Sequence, residues 1–167
     1  MGSENILIRK TGVQSKRIGW LVVWFFLASC AAEAQSQMTC AISPPEGWEQ
    51  SAVRWDGSCH AGVADGLGVL KEYSGENIKR VFYGLVKNGE VRFGVIDLGG
   101  SYEAGNFEHG RVVKSDDLKI AQTLISAFNK AGDAAEEAAK RFEKAGNKSS
   151  AQFYKAKAEA LREQMMD

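Results

Sequence analysis

The stretch "WDGSCHAGVADGLGVL" (residues 55–70) contains four glycines in sixteen residues and decides how the first half of the chain is interpreted. A dinucleotide-binding loop requires Gly-x-Gly-x-x-Gly between a strand and a helix. Here Gly62, Gly66 and Gly68 have the reverse spacing, and the residues that follow, 69–73, are typical of a strand. A P-loop is excluded as well, because the chain contains no Gly-Lys-Ser/Thr.

The glycines instead recur as pairs in which the second glycine lies five positions after the first. The pairs are Gly57 and Gly62, Gly84 and Gly89, and Gly105 and Gly110. Asn88-Gly89 is typical of a type I′ hairpin turn, which needs positive φ at both central residues. Each copy therefore predicts a short strand, a turn and a second short strand. In this interpretation the backbone requires glycine at turns, which need positive φ, and at positions where two strands approach too closely for a side chain.

This pattern resembles the MORN repeat (membrane occupation and recognition nexus). The first unit matches at Trp55, Gly57, Gly62, Gly66, Gly68 and Leu70. The second matches at Tyr83, Gly84, Gly89 and Gly94, and the third keeps only Gly105 and Gly110. The resemblance implies an open ladder of antiparallel β-hairpins over residues 40–113 that serves as an interaction scaffold. The family's link with phosphoinositides is not carried over, because the stretch is not notably basic.

The first forty residues have the pattern of an export signal. Basic residues precede an apolar run at 18–27, and small residues follow it. One exit, after Ala34, makes residues 1–34 a cleaved signal peptide. The other, at Leu27-Ala28-Ser29-Cys30, resembles a lipobox, so that residues 1–29 are removed and Cys30 is acylated. Either exit predicts export. The predicted location is the periplasm, or a membrane to which the acylated lipoprotein is anchored, and the cell exterior is a less favoured location.

Cysteine counting agrees with an oxidising compartment. Both exits leave Cys40 and Cys59 as a pair, which predicts a disulfide that closes a loop of about twenty residues. The alternatives are two free thiols or a metal site. A zinc site would need His60 and His109 as further ligands, but their spacing fits no zinc motif, and no metal or cofactor is expected.

After residue 114 the composition changes from glycine-rich to alanine-rich, and the apolar period becomes helical. Ser115 is a predicted N-cap for a helix that extends to Lys144, with a kink at Gly132. Its apolar stripe comprises Leu118, Ala121, Ile125, Phe128, Gly132, Ala135, Ala139 and Phe142. Gly146-Asn147 ends it, and a second helix completes an antiparallel αα-hairpin over residues 115–166. We expect the two helices to bury the stripe together and to lean on the β part or on a partner.

The whole chain is therefore predicted as α+β, a small antiparallel β-hairpin sheet followed by a helical hairpin. No nucleophile–base pair or carboxylate cluster points to catalysis, and balanced charge (21 basic and 21 acidic residues) gives no reason to expect nucleic acid. The sequence predicts a non-catalytic envelope protein that binds a protein partner, in an oligomeric state left open. The alternative is a module that binds envelope lipid or glycan through surface aromatics, Trp55 and Tyr83.

Overall fold

The computed structural model describes residues 40–114 and 116–165, which form an antiparallel sheet followed by two packed helices. Every strand pairs with the next one in sequence, in the order β1 to β6. The strands are β1 (Val53–His60), β2 (Val63–Ser74), β3 (Asn77–Lys87), β4 (Glu90–Asp97), β5 (Tyr102–Glu108) and β6 (Arg111–Val112). The helices are α1 (Ile120–Lys144) and α2 (Lys148–Glu163). The predicted α+β class is confirmed, whereas the export signal, Cys30 and the exit after Ala34 lie outside the described residues.

Three two-residue turns close the hairpins β1–β2, β3–β4 and β5–β6. Both central residues of each turn have positive φ, as type I′ geometry requires. The pairs are Ala61 (49°) with Gly62 (78°), Asn88 (51°) with Gly89 (76°), and His109 (49°) with Gly110 (79°). The second glycine of every predicted pair is thus a turn glycine, including that of the third hairpin.

The first glycine of each pair belongs to a row that crosses the sheet. Gly57, Gly68, Gly84, Gly94 and Gly105 lie directly opposite one another on β1 to β5. A Cβ added at Gly94 would lie 2.7 Å from Gly84 Cα and closer still to the carbonyl oxygen of Tyr83. We call these five residues the glycine row. At the first four of these positions an added Cβ would lie within 2.6 Å of its nearest neighbour, so no side chain fits there, whereas at Gly105 the nearest atom is 3.7 Å away.

A segment of irregular chain, residues 40–52, covers one face of the sheet, and we call it the strap. Its amides at Ala41, Ser43 and Glu46 donate to the carbonyls of the three turn glycines Gly62, Gly89 and Gly110, at 2.8, 2.6 and 2.9 Å. Ile42 and Trp48 of the strap join a buried cluster on this face, together with Ala64, Leu70, Phe82, Val86, Val91, Ile96 and Phe107. The predicted disulfide is present and joins the strap at Cys40 to Cys59 of β1.

The helical hairpin covers the opposite face. Val69, Tyr83 and Val95 of the central strands form one cluster with alanines of α1 and with Tyr154, Ala158 and Leu161 of α2. The expectation that the helices pack on each other and lean on the β part is therefore correct. Helix α1 continues through Gly132, where a Cβ would lie 3.1 Å from the carbonyl oxygen of Ala158, so this glycine permits close helix approach.

The predicted start of α1 is wrong. The α-helix begins at Ile120, after a 3-10 turn at Asp117–Lys119, and Ser115 lies outside the described residues. Leu118, Ala121 and Ile125, which the periodicity placed on the buried stripe, are exposed: Leu118 fully (100%) in this turn, and Ala121 and Ile125 in the first turns of α1, whose buried residues begin at Ala127. Asn147 caps α2 by accepting from the Ser150 amide at 3.1 Å. No helix within the described part of the chain combines the length and apolar character needed to cross a bilayer.

Candidate functional site

A groove of about 740 Å³ follows the outer edge of β1, and we call it the edge groove. Four consecutive residues of β1 line it: Val53, Arg54, Trp55 and Asp56. Its other walls come from the beginning of the strap, from Lys71 and Tyr73 of β2, and from Phe142 near the end of α1. Because β1 is the first strand in the order of the sheet, its outer side has no neighbouring strand among the described residues.

Successive side chains of a strand point to opposite faces, yet all four of these residues line one groove. Val53 and Trp55 pack against the strap-side cluster. Arg54 and Asp56 face the other way, since the Arg54 guanidinium lies 4.9 Å from the centre of the Tyr73 ring and Asp56 contacts α1. The groove therefore lies along the edge of the strand and not over either face of the sheet.

A charged cluster forms the floor on the helix side. Arg141 donates from Nε to Asp56 Oδ1 (3.2 Å) and from Nη2 to the Asp56 carbonyl oxygen (2.6 Å). Lys71 Nζ lies 3.9 Å from Asp56 Oδ2 and 5.3 and 5.6 Å from the ring centres of Tyr154 and Phe142. Burial lowers the pKa of the Lys71 ammonium, and the Asp56 carboxylate partly opposes this effect. The cluster joins the helical hairpin to β1.

One oxygen of this cluster has spare bonding capacity. Asp56 Oδ2 is buried and makes no hydrogen bond within the described residues. Lys71 Nζ, 3.9 Å from this oxygen, is beyond hydrogen-bond distance. Within the same residues, no group of three or more His, Cys, Asp and Glu side chains is placed to hold a metal ion.

The two aromatic residues predicted as a ligand surface have different environments. Trp55 is half-buried and lines the edge groove, where its indole Nε1 donates to the Ser58 carbonyl oxygen at 3.0 Å. Tyr83 is only 2% exposed, so its assignment to an open surface is wrong. It lies on the helix-side face of a central strand, and desolvation there raises the pKa of its phenol.

The other polar residues considered from the sequence do not meet at one place. His60 is exposed at the end of β1, and His109 is exposed in a type I′ turn. Asp65 lies within β2 and accepts the Asn88 amide at 3.0 Å, so it supports the neighbouring turn. Arg54, Lys71 and the C-terminal part of α1 were missed as site residues. For Arg54 and Lys71 the available signal was a charged side chain within a strand, because charged residues are rarely buried unless they are paired.

Neither a protein-family model, nor a curated protein, nor a solved structure matches the chain. The MORN resemblance therefore stays a prediction that rests on the residues named for it.

Proposed function

We propose that this chain is an exported, non-catalytic protein of the cell envelope that binds a partner protein through the edge groove. The observation that carries the proposal is the groove itself, a cavity of about 740 Å³ lined by aromatic and cationic side chains. Binding sites typically combine such concave, partly apolar walls with a few polar groups. The Cys40–Cys59 disulfide and the signal-like N-terminal pattern support export.

The covered faces of the sheet favour the edge as the contact site. A MORN-like ladder would offer a partner one open face, but here α1 and α2 cover one face and the strap covers the other. A partner that approaches the sheet therefore meets side chains of the strap or the helices. The β1 edge is where sheet residues from both faces reach a common cavity.

Site-specific photo-cross-linking in cells tests this function. The full chain carries p-benzoylphenylalanine at Gln50, an exposed residue that lines the groove, or at Arg92 of β4 as the matched control outside the groove. We expect a discrete protein adduct from position 50 alone, which disappears when Trp55→Ala is added. Equal adducts at both positions, or a lipid or glycan adduct at position 50, would contradict the proposal.

Export is tested separately by the mass of the mature protein. A chain that begins at Gln35, or one that begins at an acylated Cys30, supports export by one exit or the other. The acylated form would hold the β domain near a membrane, because two or more acyl chains give stable anchoring. An intact chain that begins at Met1 in the cytoplasm would remove the compartment from the proposal.

A second candidate is a module that binds envelope glycan or lipid, and the aromatic lining favours it. Trp55, Tyr73 and Phe142 all contribute to the groove, and flat aromatic rings supply large contact areas. Titration with peptidoglycan fragments and with lipid vesicles, read by isothermal titration calorimetry, tests this candidate. Saturable binding that Trp55→Ala abolishes, with an unchanged circular dichroism spectrum, would place it above the first.

A further inference from the structure

We propose that the edge groove takes an extended segment of the partner in which apolar and acidic residues alternate, and that this segment pairs with β1 as an added strand. The inference rests on the proposed function and deepens it by naming the chemistry of the partner. Strand addition to an exposed sheet edge derives affinity from main-chain hydrogen bonds and specificity from alternate side chains.

The edge of β1 is regular where the groove lies and is closed beyond it. The pairing of β1 with β2 shifts register between Gly57 and Cys59. The carbonyl oxygens of Asp56 and Ser58 already accept side-chain hydrogen bonds, from Arg141 and Trp55. Pairing is therefore confined to Val53 through the Asp56 amide and leaves out the Asp56 carbonyl; this length of about 13 Å suits about four ligand residues.

The walls of the groove define which side chains the ligand carries. On one side of the edge Val53 and Trp55 belong to an apolar cluster, which suits valine, isoleucine or leucine. On the other side the cationic groups are Arg54 and Lys71. Arg54 is exposed, stacks on Tyr73 and makes no ion pair within the described residues. A carboxylate on the ligand would complete that pair.

Charge complementarity selects an acidic ligand over a basic one. Among the described residues that line the groove, Asp56 is the single carboxylate, and Arg141 already holds it. Arg54 and Lys71 therefore leave an excess of positive charge next to the apolar wall. A ligand strand whose residues alternate would direct its acidic side chains to the cations and its apolar side chains to Trp55, because the strand period is two.

Fluorescence anisotropy with synthetic peptides tests the inference on the full chain, purified with its disulfide intact. One peptide set alternates Glu with Val, Ile or Leu over seven residues. A second set has the same composition in two blocks, and a third replaces Glu by Lys. We expect the alternating acidic set to bind at least about tenfold more tightly than the other two, a difference within the range of such specificity.

The main-chain contribution is tested on the ligand, so that folding of the protein is not disturbed. N-methylation at alternate residues of the best peptide removes amide donors and leaves its side chains in place. We expect a loss of about tenfold or more from methylation on one edge of the peptide and little change from the other. Arg54→Glu should weaken the same peptide by a similar factor, whereas the control Arg92→Glu should not.

Equal binding of the alternating and block peptides, or insensitivity to N-methylation on both edges, would overturn strand addition. Preference for the Lys peptides, or failure of every peptide while a peptidoglycan fragment binds in the groove, would overturn the acidic partner. Failure of all peptides together with a protein adduct at position 50 would also overturn this inference. That last result leaves the proposed function standing, so the two failures are distinguishable.

Discussion

The two faces of the sheet are covered in different ways. On the helix side α1 buries Ala127, Phe128, Ala131, Gly132, Ala134, Ala135, Ala138 and Ala139, a surface made almost wholly of small residues. On the strap side the buried side chains are large, and Phe82 and Phe107 meet edge to face with ring centres 5.5 Å apart.

The difference follows from the covering element. A helix of 25 residues presents a long continuous surface, so alanine suffices and allows close approach to the sheet. The strap is short and has little secondary structure, so area must come from aromatic and aliphatic side chains. Its position is fixed by other means, namely the disulfide, the bonds to the turn glycines, and Glu72, whose carboxylate accepts the Glu49 amide at 3.1 Å.

Disruption of the glycine row should destabilise the strap side and the helix side of the sheet together. Gly94→Val places a branched side chain against the backbone of β3, where even a Cβ would lie 2.7 Å from Gly84 Cα. We expect a loss of about 5 kcal/mol or outright unfolding, because overpacking and backbone strain add. Urea denaturation measures it. Gly100→Ala, with no atom within 4 Å of the new Cβ, is the control and should change stability little.

On the strap side a smaller side chain should cause the large loss of stability, whereas on the helix side the larger loss should come from a bigger side chain. Phe82→Ala opens a cavity on the strap side and should cost about 4 kcal/mol. Ala135→Leu overfills the helix side and should cost about 2 kcal/mol, whereas Ala135→Gly should cost about 1 kcal/mol, mainly through helix propensity. Denaturant titrations of the three variants measure these losses. A helix side that tolerates leucine without loss would contradict the close-packed interpretation.

Removal of the disulfide should loosen the strap side selectively. The double variant Cys40→Ser with Cys59→Ser should lose about 3 kcal/mol, as expected for a crosslink between residues 19 apart. Hydrogen exchange should accelerate at the amides of Ala41, Ser43 and Glu46, which bond to the turn glycines. Uniform acceleration that includes the middle of α1 would show that the two sides unfold as one unit.

The smallest expected effect is a pH dependence that belongs to the strap side. Hydrogen bonds from Arg80, one of 2.9 Å to Oε1, hold the pKa of the buried Glu72 carboxyl below its ordinary value of 4.5. The unfolded chain therefore binds this proton more tightly. The stabilisation is complete above pH 4.5 and is lost as the pH falls through the lowered pKa. Between pH 3 and 7, the free energy of unfolding of Glu72→Gln, measured by denaturant titration, should fall less steeply towards acid pH than that of the parent. An equal fall in both proteins would assign the pH dependence to other groups.

The sequence by itself determined the local structure, because those signals act over a few residues. The glycine pairs predicted the hairpins, Asn88-Gly89 predicted its turn type, and Cys40 with Cys59 predicted the disulfide. The alanine-rich period predicted two packed helices, since spacing along a helix reports which residues share a face. The sequence placed the start of α1 too early. Leu118 fits the helical period of the apolar residues, but it lies in a 3-10 turn, whose side chains do not continue the face of the α-helix.

Only the tertiary structure decided which surfaces are covered. The glycine row appears when five strands are set in register, although its members are far apart in the chain. Burial of Tyr83 depends on α1, and the edge groove joins the strap, β1, β2 and Phe142, so that residues as far apart in sequence as Cys40 and Phe142 line one cavity. No local pattern encodes such contacts, because they arise from the area that each element must bury once the others are in place.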